Sequence, residues 1–224
     1  MEGHRRDVTC IAVDDEIIVT GGKDRILCFW RTSDGKVIRR FVDAHDRLIT
    51  HIKAKGNLIA TSSRDRSVKI WRYVPHENDI YSVVTLIGSD QRHSVWSIDF
   101  NHKYLVSGSA DNKIRVWPRF TDDECLFHPD FCLGEATNSV RGVHLIRTTE
   151  DALLTSNVRG DLVLYDIKER KAAQEVELSG DNEKGMFHHP GGFISIDECN
   201  FDTLGIIAVA FANLNVSLFL SHKE

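Results

Sequence analysis

Ile18-Val19-Thr20-Gly21-Gly22-Lys23-Asp24-Arg25-Ile26-Leu27-Cys28-Phe29-Trp30 is the stretch on which the reading of this chain turns, because it recurs. Ile59-Ala60-Thr61-Ser62-Ser63-Arg64-Asp65-Arg66-Ser67-Val68-Lys69-Ile70-Trp71 repeats it, and Leu105-Val106-Ser107-Gly108-Ser109-Ala110-Asp111-Asn112-Lys113-Ile114-Arg115-Val116-Trp117 repeats it again. In each copy an Asp stands six residues before the Trp and a hydroxyl residue stands ten before it. The tryptophans lie 41 and 46 residues apart, a period that belongs to stacked supersecondary units.

Weaker copies end at Tyr165 and Phe219. They replace the Asp with Arg159 and Asn213, and the last replaces the hydroxyl with Val209. Within every copy, short runs of Val, Ile, Leu and aromatics alternate with Gly, Asp and Asn turns, and no 3.6-residue stripe is sustained. The first copy reads as four strands, Val8–Val13, Glu16–Thr20, Arg25–Trp30 and Lys36–Phe41. A four-stranded sheet this small buries neither face alone, so the units are expected to stack face to face in a radial all-β array.

Composition agrees with a folded chain. The 224 residues are 42% apolar and 27% charged, and no run approaches the ~20 apolar residues of a membrane-spanning helix. The start, Met1-Glu2-Gly3-His4-Arg5-Arg6, lacks the apolar centre of a signal peptide, so the expected compartment is the cytoplasm, the nucleus or both. Five cysteines, Cys10, Cys28, Cys125, Cys132 and Cys199, form no CxxC pair and read as buried reduced thiols. Residues 1–75 hold 15 Lys+Arg against 10 Asp+Glu, and the remainder holds 13 against 23. Direct nucleic-acid or membrane binding is not expected of so acidic a chain, but a local basic patch in the first third is.

These residues resemble a WD-repeat β-propeller over essentially the whole chain. Gly3-His4, Ala44-His45 and Gly192 after His189 stand where that family places its glycine-histidine pair. The resemblance implies a structural hydrogen-bond chain of His4, Thr20, Asp24 and Trp30, a second of His45, Thr61, Asp65 and Trp71, and a third built on Ser107, Asp111 and Trp117 with Gln91 or His93 in the histidine's place. It implies about five blades, at 3–43, 44–90, 91–136, 137–180 and 188–224. The last is incomplete, which makes the ring open or partial. A fragment of a longer protein, or a propeller completed by a partner's strand, both fit that count.

Enzyme chemistry is not expected. The chain has no GxSxG, HExxH, P-loop or GxGxxG, and its recurrent Asp, His and hydroxyl residues belong to every copy, as scaffold does. No metal or cofactor is expected; His188-His189 reads as packing. What remains is a surface. Loops entering the first strand of each unit and loops joining its second and third strands crowd one rim of a propeller. There the chain places Arg5, Arg6, Lys23, Arg47, Arg64 and Arg92, a candidate site for an acidic or phosphorylated peptide. Trp96, on the first strand of copy three, reads as core, and Arg25 and Arg66 as turn residues paired with the local Asp.

The opening strand reaches the next hydroxyl in twelve residues in three copies, from Val8 to Thr20, Ile49 to Thr61 and Val95 to Ser107. Such short hairpins are similar to those of F-box/WD-repeat proteins, the substrate receptors of cullin-type ubiquitin ligases. The resemblance implies a non-catalytic substrate-recognition propeller with ligase subunits and phosphoproteins as partners. A structural scaffold within a stable multiprotein complex is the alternative expectation.

Overall fold

The computed structural model of the chain describes residues 3–88, 90–118, 131–135, 139–145, 151–157, 162–176, 195–201, 204–210 and 216–221. Nineteen strands and no helix occupy them. The first unit contains β1 (Val8–Val13), β2 (Ile17–Gly22), β3 (Leu27–Arg31) and β4 (Val37–Phe41). The second contains β5 (Ile49–Lys55), β6 (Leu58–Ser63), β7 (Val68–Val74) and β8 (Asp79–Leu86), and the third β9 (Val95–Phe100), β10 (Tyr104–Ser109), β11 (Lys113–Pro118) and β12 (Phe131–Glu135). The fourth runs β13 (Val140–Leu145), β14 (Ala152–Asn157), β15 (Leu162–Asp166) and β16 (Lys171–Val176), and the fifth β17 (Ser195–Phe201), β18 (Leu204–Ala210) and β19 (Val216–Ser221).

Each unit is an antiparallel meander in chain order, four-stranded in the first four and three-stranded in the fifth. Successive sheets pack through their opening strands, β1 on β5, β5 on β9, β9 on β13 and β13 on β17, so the chain is an open or partial array of propeller blades. The outer strand of the third blade is β12, which pairs with β11; Cys125 and Phe127 lie outside the described residues, as do His188, His189 and Gly192.

The strand period of two decides which residues meet between blades. Ile17, Val19, Leu27 and Phe29 of blade one pack on Ile49, Ile52, Ile59 and Trp71 of blade two in one buried cluster, with Cys10, Ala12, Ile38 and Phe41 at its margin. The Phe41 ring lies 4.9 Å from that of Trp71. The next seam repeats the arrangement with Ala60, Val68 and Ile70 against Val95, Ile98, Phe100, Leu105 and Trp117. Small residues let the sheets close. A Cβ on Gly21 would come within 2.8 Å of the Ile49 side chain, and one on Gly108 within 2.5 Å of Val140.

The opening strands of the first four blades each carry one irregularity, between Val8 and Cys10, Ile49 and His51, Gly108 and Ser109 opposite Val95, and Val140 and Gly142. The extra residue is turned out of the ladder. In blades one and two it is threonine, and its hydroxyl reaches the next blade: Thr9 donates to the Ile49 carbonyl and Thr50 to that of Val95. The second seam also holds charge. Asp99 is buried within 3.2 Å of Lys55 Nζ and 3.7 Å of Lys53 Nζ, and His51 Nδ1 accepts the Ile98 N–H at 3.1 Å. Burial first, and then the Lys53 charge, push the His51 imidazole down to about 4, so it is neutral at physiological pH.

Candidate functional site

The hairpin between the second and third strands is the same device in three blades. Arg25, Arg66 and Asn112 follow the repeating Asp with φ of 67°, 79° and 67°, each closing a turn onto the carbonyl of Gly22, Ser63 or Ser109. The Asp carboxylate completes the turn by accepting the N–H two residues on, Ile26 at 3.2 Å and Ser67 at 2.9 Å. Arg25 is a turn residue, as expected, but its guanidinium pairs with Asp43 at 2.7 Å and not with Asp24.

Two blades carry a complete polar chain beneath that turn. Trp30 Nε1–H donates to Thr20 Oγ1 at 2.9 Å, Thr20 meets His4 Nε2 at 2.8 Å, and His4 Nδ1 meets Asp24 at 3.0 Å. The same atoms of Trp71, Thr61, His45 and Asp65 lie at 3.0, 2.8 and 2.8 Å. The indole can only donate, so the threonine oxygen accepts from it, and the histidine links that hydroxyl at Nε2 to the carboxylate at Nδ1. Burial opposes ionisation of Asp65, yet its bonds to His45 and Ser67 outweigh that and hold the carboxyl well below the usual range. The Asp also accepts the N–H after the histidine, Arg5 at 2.6 Å and Asp46 at 3.0 Å, and so ties the entering loop to the hairpin.

The third blade departs from the expected chain. Gln91 Nε2 donates to the His93 carbonyl and to Ser109 Oγ at 2.8 Å, and reaches neither Ser107 nor Asp111. Ser107 Oγ is buried without a hydrogen-bond partner. Asp111 pairs instead with Arg115, whose Nη1 and Nη2 lie at 3.2 and 2.9 Å, and Arg115 is 1% exposed. The reason is steric and electrostatic together. The ladder sets Arg115 directly opposite Ser107, so its long side chain fills the volume that a histidine takes elsewhere and brings its own cation to the Asp.

The entering loops and hairpins do share one rim. Lys23 N–H donates to the Asp7 carbonyl at 2.9 Å, Arg64 N–H to that of Leu48 at 3.1 Å, and Ala110 N–H to that of Ser94 at 3.0 Å. Ser63 Oγ adds bonds to the carbonyls of Arg47 and Leu48. Of the six basic residues read from the sequence, Arg5, Arg6, Arg47, Arg64 and Arg92 have exposed side chains. Lys23 is exposed too, but its ammonium is held by Asp7 at 2.7 Å, which also keeps the Asp7 carboxyl below its ordinary value.

Sequence reasoning missed one contact here. Arg64 lies with its guanidinium carbon 4.8 Å from the centre of the Trp96 ring, across the seam between blades two and three. Trp96 is half-buried on β9, not a core residue. The signal was available: Trp96 occupies the irregular position that is Thr9 and Thr50 in copies one and two, where a large ring has no place in the ladder. Among the described residues no group of three or more His, Cys, Asp or Glu could hold a metal ion, and no helix is long and apolar enough to cross a membrane.

Comparison with known proteins agrees with this geometry. The family model described as "WD domain, G-beta repeat" matches residues 1–31, 35–72 and 73–118, just over half of the chain. No curated protein matches. Among solved structures, the crystal structure of the computationally designed Ika4 protein superposes with a TM-score of 0.61 at 23% identity, covering 75% of this chain and 95% of that one. This likeness bears on the fold. Three matched repeats, the second and third each spanning the outer strand of one blade and the first three strands of the next, establish that the chain belongs to the WD40 repeat family, whose members serve as protein-interaction modules.

Proposed function

We propose that the chain docks an acidic or phosphorylated peptide on the rim of blades one and two, as the substrate-recognition propeller of a ubiquitin-ligase receptor in the cytoplasm or nucleus. The observation that carries the reading is the Arg64–Trp96 pair. A guanidinium stacked on an aromatic ring keeps its edge N–H groups directed outward, and it gives up less side-chain entropy when an anion arrives than a free arginine does. Arg47 lies beside it, since the Arg64 N–H is bonded to the carbonyl of the residue after Arg47. The short hairpins of three copies support the receptor class. A non-catalytic role fits the polar chains of blades one and two, whose members are bonded to one another.

The test is fluorescence anisotropy with three labelled peptides of one sequence, carrying phosphothreonine, glutamate or threonine at the central position. Tight binding of the first two, weakened tenfold or more by Arg47→Glu with Arg64→Glu, is expected; each lost charge-assisted contact is worth about 1.5–3 kcal/mol. Equal affinity for all three peptides, or unchanged affinity in the double variant, overturns the rim. Ligase subunits co-purifying with the chain would support the receptor class.

A second reading, a scaffold completed by a partner's strand, rests on the fifth blade. There β19 pairs with β18 on one side only among the described strands. Stoichiometric co-purification with one partner, unaffected by the rim substitutions, favours it.

A further inference from the structure

In three blades the residue before the repeating Asp anchors its hairpin by the same bond, yet its side chain has a different fate in each. Lys23, Arg64 and Ala110 donate their N–H groups to a carbonyl of the loop entering their own blade, that of Asp7, Leu48 and Ser94. The backbones are equivalent, so the accepting residue is what differs. In blade two it is a leucine, and the Arg64 guanidinium crosses the seam to the Trp96 ring of the next blade. In blade one it is an aspartate. The Lys23 ammonium folds back onto the Asp7 carboxylate at 2.7 Å and stays within its own blade.

Lys23 is next to the rest of the rim. A Cβ on Gly21 would lie 2.8 Å from the Ile49 side chain, so these residues touch across the seam between blades one and two. Lys23 stands two residues after Gly21 and Arg47 two residues before Ile49, each on the side of its strand that leads to the rim. The Arg64 N–H is bonded to the carbonyl of Leu48, the neighbour of Arg47. Lys23, Arg47 and Arg64 therefore follow one another around the rim, and among the described residues only Lys23 of the three is paired with a carboxylate.

That pairing governs what Lys23 can give to a ligand. Its side chain and that of Asp7 are 52% and 74% exposed, so the bond is weak enough to open. The ammonium also keeps the Asp7 carboxyl below its ordinary value, which makes the clasp an ionised pair at neutral pH. A ligand that takes Lys23 must release Asp7. A peptide carboxylate exchanges one carboxylate for another, and the bond gained offsets the bond lost. A phosphoryl group brings about two negative charges and three acceptor oxygens, so it forms the stronger bond and leaves Asp7 to water.

We infer that Asp7 is an internal competitor for the rim: it occupies Lys23 in the free chain, lowers the affinity for anionic peptides, and yields Lys23 only to a phosphorylated one. The inference rests on the rim reading above and narrows its ligand from an acidic or phosphorylated peptide to a phosphorylated peptide.

The test uses the phosphothreonine and glutamate peptides of the anisotropy assay with the full chain, at about 0.15 M salt, where distant exposed charges are screened. Asp7→Asn frees Lys23 and should tighten both peptides about threefold. Asp15→Asn makes the same change of charge in the exposed turn at the other end of β1, and should leave both affinities as they were. Asp7→Asn with Lys23→Met removes the clasp altogether. Relative to the natural chain it should weaken the phosphothreonine peptide about threefold more than the glutamate peptide, because only the former draws on Lys23. Both substituted side chains are exposed and the Lys23 N–H keeps its bond to the residue 7 carbonyl, so the fold is retained, with circular dichroism as the check. No gain from Asp7→Asn, an equal gain from Asp15→Asn, or equal weakening of the two peptides in the double variant overturns the competitor. The rim itself is judged separately by Arg47→Glu with Arg64→Glu: if that variant loses binding while Asp7→Asn gains nothing, the rim stands and the competitor falls. If it binds as the natural chain does, both fall.

Discussion

Blades one and two carry the same motif and form the same polar chain, yet among the described residues only blade two has a neighbour on both faces. The four-residue chains match to within about 0.2 Å at every link. The hydrogen-bond device is therefore local: it is set by one hairpin and one entering loop, and it forms whether or not the sheet is covered. Packing is not local. Trp30 and Trp71 make equivalent bonds to threonine, but only Trp71 has a partner ring, Phe41 of the preceding blade. The recurring tryptophan thus serves two separable ends, a bond within its own blade and a buried area against the one before.

A pair of substitutions breaks this comparison most sharply. Ile52→Asp places a carboxylate in the sealed seam between blades one and two, and urea unfolding should show a loss of about 4 kcal/mol or more, with a fraction of the chain unfolded in buffer. Ile11→Asp makes the same chemical change at the matching place in blade one, where water already reaches the side chain. Its expected cost is within about 0.5 kcal/mol. Equal losses at the two positions would mean that the blade-one face is buried in the isolated chain.

The period, the turns and the strand order of blade one were readable because each is written in local residue types: a Gly- or Ser-rich turn, an Asp that caps it, a hydroxyl ten residues before a Trp. Blade three shows where such reading stops. Ser107, Asp111 and Trp117 preserve the motif, but the chain of bonds depends on a histidine arriving from the entering loop, and Gln91 is too short and too differently placed to stand in. That Arg115 would take its volume follows only from the cross-strand register, which a sequence does not display. The rim fared similarly. Its basic residues could be named from their offsets, whereas the Asp7 clasp on Lys23 and the ring beneath Arg64 depend on which side chains lean across a loop or a seam.

Blade three offers the next perturbation. Arg115→Met removes the cation and leaves the largely buried Asp111 carboxylate with the Lys113 N–H but no counter-charge from Arg115, so stability should fall by about 3 kcal/mol or more. Arg115→Met with Asp111→Leu removes both charges and should recover most of that loss, because a buried pair replaced by apolar groups of similar volume is close to neutral. In blade two the corresponding single change, His45→Ala, leaves Asp65 its bonds to Ser67 and to the Asp46 N–H. A smaller loss of about 2 kcal/mol is expected there. If His45→Ala proves the costlier, the ion pair of blade three is the weaker of the two devices.

The smallest effect is graded by acid, and it separates the seams and not the blades. His51, in the polar seam, has its imidazole held down to about 4 by burial and by Lys53, against an ordinary value of 6.5. Below pH 6.5 the unfolded chain takes up a proton that the folded chain refuses, so stability falls as the pH drops from 6.5 toward 4, by roughly 1.4 kcal/mol per unit. Below that, protonation of Asp65 removes a further contribution, present only while its carboxylate is ionised. The apolar seam between blades one and two contains no such group at the matching position, which is Cys10, a thiol that burial pushes up to about 12 and keeps neutral throughout. His51→Gln should therefore flatten the stability profile between pH 6.5 and 4, and Cys10→Ala should shift it vertically without changing its slope. An acid slope that survives His51→Gln would place the sensitive proton elsewhere and detach the pH response from the seam between blades two and three.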